Sequence, residues 1–437
     1  MMCEAFLQYI WGQRLYYTAD QMTTDGSVVE ILNPGRLNQD AGPDFFNAQI
    51  RVEGVTWAGN VEIHLTSDDW YRHGHETDPA YDNVILHVVG RSTGRQVLNS
   101  KGDKIPEVVL AYDPELLQRY EELESRVSVS KIRCADLIPK MPEAIKTSWL
   151  DSLLIERMEA KSDRILEYVE MFKGDIDQAF FCVLARAMGN KVNAEPMEIL
   201  VRSTPLRALV KHNDVLQTEA LLLGQAGMLR DETLNDDYVT SLRREYDLLK
   251  VKFGLEPIDP SVWKYARLRP QNFPDIRLVQ LAAVIRALPG NFASCLSLPL
   301  NKILSVSPSE YWRTHYRLGL ESNTESDKKL GEDSRRLVMI NAIVPYAFAM
   351  GRRFGNVARQ DEAIDVLRAI TKERNSILRM WTEVGVVVRD EADAQALLHL
   401  TSQYCERGMC LRCRFGHYCI SRGRAPVAYA SLGSKNM

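Results

Sequence analysis

Two stretches of this 437-residue chain carry residue types that could do chemistry. In the first, Gly42-Pro-Asp-Phe-Phe-Asn-Ala-Gln-Ile-Arg-Val52 leads through a Glu53-Gly54 turn into Val55-Thr-Trp-Ala-Gly-Asn-Val-Glu-Ile-His64. Pro43 cannot donate a ladder hydrogen bond and belongs at a strand start. Val61, Ile63 and Leu65 mark the second strand by alternation, which puts Glu62 and His64 together on its opposite face. Asp44, at the mouth of the first strand, can then converge with Glu62 on its neighbour. Two acidic oxygen donors with a backbone carbonyl and water suit Mg²⁺ or Mn²⁺.

The second stretch is Cys405-x4-Cys410-x2-Cys413-x5-Cys419. Disulfides are disfavoured in the cytoplasm, where this chain is expected to reside, so four thiols this close together point to a metal centre. Four thiolates serve either a [4Fe–4S] cluster or a structural zinc, and His417 could replace one of them. The other cysteines, Cys3, Cys134, Cys182 and Cys295, are scattered in mostly apolar segments and read as core residues.

Further side chains offer themselves around these two sets. Four of the eight histidines, His64, His73, His75 and His87, fall within 24 positions. That density also permits zinc held by imidazoles and carboxylates. Glu4, in the first turn of an N-terminal helix, is either an additional metal-site carboxylate or simply a favourable charge at a helix N-terminus. Arg412 and Arg414, with Arg407, Arg422 and Arg424, surround the cysteines and could grip a phosphate backbone. Arg267 and Arg269 stand in a Pro-bounded loop leading to Arg277, suited to phosphate or to tying the loop to neighbouring helices.

At Pro43-Asp44 and Glu62-Ile63-His64 the chain resembles the PD-(D/E)xK nuclease superfamily, over roughly positions 1–110. The resemblance implies a core of helix, three-stranded meander, helix and strand. It implies that Asp44 and Glu62 bind the divalent metal, that Glu4 can join them, and that the residue at His64, lysine in the superfamily, assists the attacking water. Cys410-x2-Cys413-x5-Cys419 is similar to the cluster loop of endonuclease III-type DNA glycosylases, although the first gap is two residues longer there. The whole chain also resembles an uncharacterised bacterial family of unknown function. Together these imply metal-dependent phosphodiester hydrolysis in DNA. The alternatives are a catalytically silent nucleic-acid-binding protein on the same fold and a zinc hydrolase of another substrate using His64, His73 and His75.

These side chains need elements to hold them. Phe6, Leu7, Ile10, Trp11 and Leu15 predict an amphipathic helix over 3–16. Strands are predicted at 27–32, on both sides of the Glu53-Gly54 turn, and at Val84–Val89, whose apolar run suits burial on both faces. A hairpin is predicted over 96–110. Asp44 falls in phase with Phe46, Ala48, Ile50 and Val52, the more apolar set of its strand, so either the backbone bends after Pro43, or a cation offsets the buried carboxylate, or Asp44 is only a turn residue. From Tyr112 onward helical patterns replace strand patterns.

The expected class is α+β. A nuclease-like domain occupies 1–125, a helical domain 140–404 with a candidate division near 257–274, and a four-cysteine loop with basic tail 405–437. No apolar run approaches a membrane span, and the N-terminus lacks a signal-peptide pattern. Positions 1–110 carry 8 Lys and Arg against 15 Asp and Glu, a net charge of −7, whereas 401–437 carry +5. An acidic surface does not attract a phosphate backbone unaided, so bound cations or the basic C-terminal segment would have to supply the attraction.

Overall fold

The Glu53-Gly54 turn takes positive φ at both residues, 47° and 81°, as a two-residue hairpin requires to match strand twist. It joins β3 (Phe45–Val52) to β4 (Val55–Thr66) with Val52 opposite Val55. The structure, a computed structural model, describes residues 2–19, 21–126, 131–289, 292 and 295–422. Arg424 and the remainder of the basic tail lie outside the described residues.

The chain forms two compact units. Unit 1 comprises residues 1–151, 375–387 and 397–437, so the four-cysteine segment belongs with the N-terminal part of the chain. Its helix α1 (Glu4–Gly12) buries Phe6, Leu7, Tyr9, Ile10 and Trp11 and stops at Gly12, short of the predicted end. β1 (Val29–Asn33) and β2 (Arg36–Leu37) both pair antiparallel with β3. After β4 comes a short helix α2 (Asp69–Arg72), then β5 (Val84–Arg91) and β6 (Glu107–Val109). The sheet order is β1-β3-β4-β5-β6, antiparallel up to β4 and parallel from β4 through β6. β5, flanked by two parallel strands, is buried over Val84–Val89, as its continuous apolar run predicts. Helix α3 (Pro114–Ser125) follows, capped by the Asp113 carboxylate.

Two expectations change. The hairpin over 96–110 shrinks to one isolated pairing of Leu98 with Lys104, because Glu107–Val109 pairs parallel to β5 instead. The phase of Asp44 is also not that of Ala48 and Ile50. Asn47 adopts φ 57°, and the register slips by one residue between Phe45 and Ala48. This bulge turns Phe45 and Ala48 to the same buried side and frees Asp44 from the apolar set.

A second register shift, in β5 opposite Asn60–Val61, lets β5 close on β4 at Gly59. A Cβ at Gly59 would meet Ile85 Cγ2 and come within 2.6 Å of the Asn83 carbonyl oxygen. Gly59→Ala is therefore expected to cost about 1–3 kcal/mol by overpacking. Urea unfolding followed by tryptophan fluorescence should show it as a lower midpoint with an unchanged slope.

Unit 2, residues 152–374 and 388–396, is helical apart from a small hairpin, His315–Arg317 with Leu320–Glu321. Its helix Pro274–Ala287 is buried along nearly its whole length. Its buried Glu219 carboxylate accepts from Ser309 N at 2.8 Å, Ser309 Oγ at 2.7 Å, Trp312 Nε1 at 3.3 Å and Tyr238 Oη, a satisfied structural anion. Taken with the sheet of unit 1, the class is α+β. Among the described residues, no helix is long and apolar enough to cross a membrane.

Candidate metal centre

Glu62 and His64 project from the same face of β4, which lies between β3 and β5. The loop after α2 adds two histidines. Gly74, at φ 76°, reverses the chain between His73 and His75, so both imidazoles turn back towards β4. His64 Nε2 lies 3.1 Å from His73 Nδ1. Glu62 Oε1 lies 3.4 Å from His64 Nε2 and 3.4 Å from His75 Nε2. Ligand atoms of all three histidines fall within 4.8 Å of one another. Nitrogen donors sharing one cation at about 2.1 Å stand roughly 3.0–3.4 Å apart, depending on geometry. The spacing therefore fits a single transition-metal ion. His75 Nε2 is buried and makes no hydrogen bond, which leaves a donor atom aimed into this space.

Behind these ligands runs a buried relay. His64 Nδ1 meets His87 Nε2 at 2.9 Å, and His87 Nδ1 meets Glu107 Oε2 at 3.0 Å. Glu107 Oε1 accepts from Ser67 Oγ at 2.9 Å and Ser92 Oγ at 2.7 Å. Burial alone would raise the Glu107 pKa, but donation from His87, Ser92 and Ser67 outweighs it and holds the group below the ordinary carboxylate range. The carboxylate thus claims the proton on His87 Nδ1. With its proton on Nδ1, the His87 ring presents Nε2 as an acceptor for the proton on His64 Nδ1. That leaves the His64 Nε2 lone pair facing His73 and Glu62, the tautomer a metal ligand needs. Burial, then the neighbouring imidazoles, push the His64 pKa down to about 2, which keeps the ring neutral.

Asp44 lies on the other side of Glu62. Its backbone N–H donates to Glu62 Oε2 at 3.0 Å. Its own oxygens accept from Ile63 N at 3.0 Å and from Gln8 Nε2 of α1 at 2.8 Å. Burial and the Glu62 charge raise its pKa to about 7, and Glu4, one turn before Gln8 on α1, adds to the rise. A cation beside this acidic cluster would reverse that cost.

The two shifts act oppositely on stability. His64 titrates near 2 when folded and 6.5 when unfolded, so its contribution is lost as pH falls below 6.5. Asp44 titrates near 7 when folded against 3.8, so its contribution is lost as pH rises towards 7. Between about pH 4 and 6.5 the slopes cancel. Asp44→Asn, accommodated by a flip of the Gln8 amide, removes one slope and exposes the other. Metal-free Asp44→Asn protein is expected to lose stability with acidification across this window, more steeply than metal-free wild type. Urea unfolding at several pH values measures the difference.

The expected site residues thus fall into groups. Asp44, Glu62 and His64 converge, with Glu4 close enough to influence Asp44 electrostatically. His73 and His75 join them, and His87 stands behind. Gln8 and Glu107 carried no signal that singled them out: Gln8 reads as the polar face of a helix and Glu107 as a strand-edge charge.

The basic residues are more dispersed. Arg412 is exposed, whereas Arg414 donates to Ser148 Oγ at 2.7 Å and stands over the Trp149 ring. In unit 2, Arg267 and Arg269 are exposed, while Arg277 is buried and donates to Asn272, Gln280 and Ser334. His417 Nδ1 pairs with Tyr9 Oη at 2.9 Å, which ties it to α1.

Residues 4–376 match the model of a family described as "Protein of unknown function (DUF2851)". The chain belongs to that family. The DUF2851 match contains every ligand and relay residue of this centre and ends before the four-cysteine segment. No curated protein and no solved structure matches the chain.

Proposed function

We propose that this DUF2851 protein is a metal-dependent phosphodiesterase of nuclease type, with a histidine-rich centre in unit 1. The observation that carries the reading is the convergence of His64, His73, His75 and Glu62 at ligand spacing, backed by the Glu107–His87 relay. The order of elements supports the phosphodiester class: a helix, an antiparallel three-strand unit, a short helix and a parallel strand, with Asp44 just before β3 and Glu62 on the adjoining β4.

Imidazoles favour zinc over magnesium and the carboxylates of Glu62 and Asp44 also suit manganese, so Zn²⁺ or Mn²⁺ is the preferred ion. Such a cation stabilises charge on the phosphate and lowers the pKa of bound water. His64 acts as a ligand, since a base protonated only near pH 2 is poorly matched to accepting a proton at neutral pH. His73, exposed at the mouth, is placed to meet substrate and solvent. Glu62 orients on the Asp44 amide while its other oxygen faces the imidazoles. Arg412, exposed in unit 1, is proposed to hold DNA, with Arg267 and Arg269 as candidates in unit 2.

The test is hydrolysis of bis(p-nitrophenyl) phosphate and of single- and double-stranded DNA by metal-free protein reloaded with Mn²⁺, Zn²⁺ or Mg²⁺. Cleavage with Mn²⁺ or Zn²⁺ exceeding that with Mg²⁺, and abolished in Glu62→Gln, is the expected result. DNA binding without cleavage under every metal would favour the silent nucleic-acid-binding reading. A zinc-loaded centre inert towards both phosphodiesters would favour hydrolysis of another substrate, a reading that the acidic balance of positions 1–110 suits.

A further inference from the structure

The segment that carries the four clustered cysteines folds within unit 1 against a stretch far earlier in the chain. A small cavity there is lined by Cys134, Cys405, Cys410 and Cys413, together with Arg133, Tyr404 and Gly416. Cys419 is absent from this lining. It lies on the helix Arg414–Ser421 and faces a different cavity, beside Arg119, Glu122 and Tyr418. Cys134 stands between the two: its thiol contacts Cys419 on one side and opens onto the other three thiols on the other.

We infer that the metal centre of this segment is an iron–sulfur cluster held by Cys134, Cys405, Cys410 and Cys413, with Cys419 packed behind Cys134 and not bound. The inference rests on reading the cysteine segment as a metal centre and assigns both its ligands and its cofactor.

The two cofactors differ in the room they need between their thiolates. Four thiolates about 2.3 Å from one zinc would stand roughly 3.8 Å apart. Here Cys134, Cys405, Cys410 and Cys413 line one cavity. A polynuclear cluster, which occupies space between its thiolates, suits that arrangement.

The surrounding backbone is built to hold the opening. A π-helical stretch, Leu400–Cys405, ends on Cys405, and such stretches recur at functional sites. Gly416 lies so close to the Cys410 carbonyl that any side chain there would collide with it. Arg133 donates to Glu124 and lies 3.9 Å from Cys410 Sγ, placing a cation beside thiolates that a cluster requires.

The experiment is iron, acid-labile sulfide and zinc content, with the visible spectrum, of full-length protein purified without oxygen. Wild type, Cys134→Ser, Cys410→Ser and Cys419→Ser are compared, with circular dichroism as the check on folding. The expected result is about four irons and four sulfides per chain in wild type and in Cys419→Ser, with loss of iron and visible absorbance in Cys134→Ser and Cys410→Ser. Cluster loss in a folded Cys419→Ser protein, with retention in Cys134→Ser, overturns the ligand assignment while the metal-centre reading survives. One zinc per chain in place of iron overturns the cluster. Neither iron nor zinc in wild type overturns the metal-centre reading itself. The Cys419→Ser outcome decides the assignment even where Cys134→Ser fails to fold.

Discussion

His64→Ala protein is expected to lose phosphodiester hydrolysis by about a thousandfold or more, together with its N-terminal metal ion. A catalytic cation stabilises transition-state charge by several kcal/mol, and each step of about 1.4 kcal/mol is tenfold in rate. His64 stands at the centre of the ligand set, with His73 and Glu62 meeting its Nε2 and the His87–Glu107 relay behind its Nδ1. Removing it deletes one ligand and disconnects the relay from the others. Metal content by mass spectrometry and rates on bis(p-nitrophenyl) phosphate check both effects. Unchanged rates in folded His64→Ala protein would sink the assignment of the centre. His73→Ala, which removes an exposed ligand, should lose metal with less effect on folding.

The second large effect lies away from the ligands. Glu107→Gln preserves shape but not charge, and its amide can still accept from His87. The gain in basicity that the carboxylate passes through His87 to His64 is lost. Partners of this kind typically contribute about 10–100-fold in metal affinity. The expected result is a Kd for Mn²⁺ or Zn²⁺ weakened by that range, with much of the rate restored at saturating metal. An unchanged Kd would show that Glu107 serves only to satisfy the buried Ser67 and His87 and the half-buried Ser92. The contrast between rescue here and no rescue in His64→Ala separates a positioning role from ligation.

Several parts of this protein were written into local sequence. The Glu53-Gly54 turn, the alternation of Val61, Ile63 and Leu65, and the start after Pro43 placed Asp44 at the mouth of one strand and Glu62 on its neighbour. Antiparallel neighbours joined by a two-residue turn are paired by chain connectivity, so spacing suffices to bring them together. The apolar run Val84–Val89 declared a strand covered on both faces, and the short separations among Cys405, Cys410 and Cys413 declared a thiol cluster.

Tertiary structure decided the rest. Gln8 reaches Asp44 across 36 residues, Glu107 reaches His87 across 20, and Cys134 meets thiols from the opposite end of the chain. Periodicity reports which face of an element is buried but not which other element covers it. Glu107 looked like half of a hairpin because turn residues precede it, yet parallel pairing with β5 satisfied its backbone and buried its carboxylate. The bulge at Asn47 shows the same limit at short range, since one residue in a left-handed conformation reverses the side to which all earlier side chains point. Cys134 read as a core thiol because it stands far in sequence from the clustered cysteines, and only the fold set it at the cavity shared with Cys405, Cys410 and Cys413.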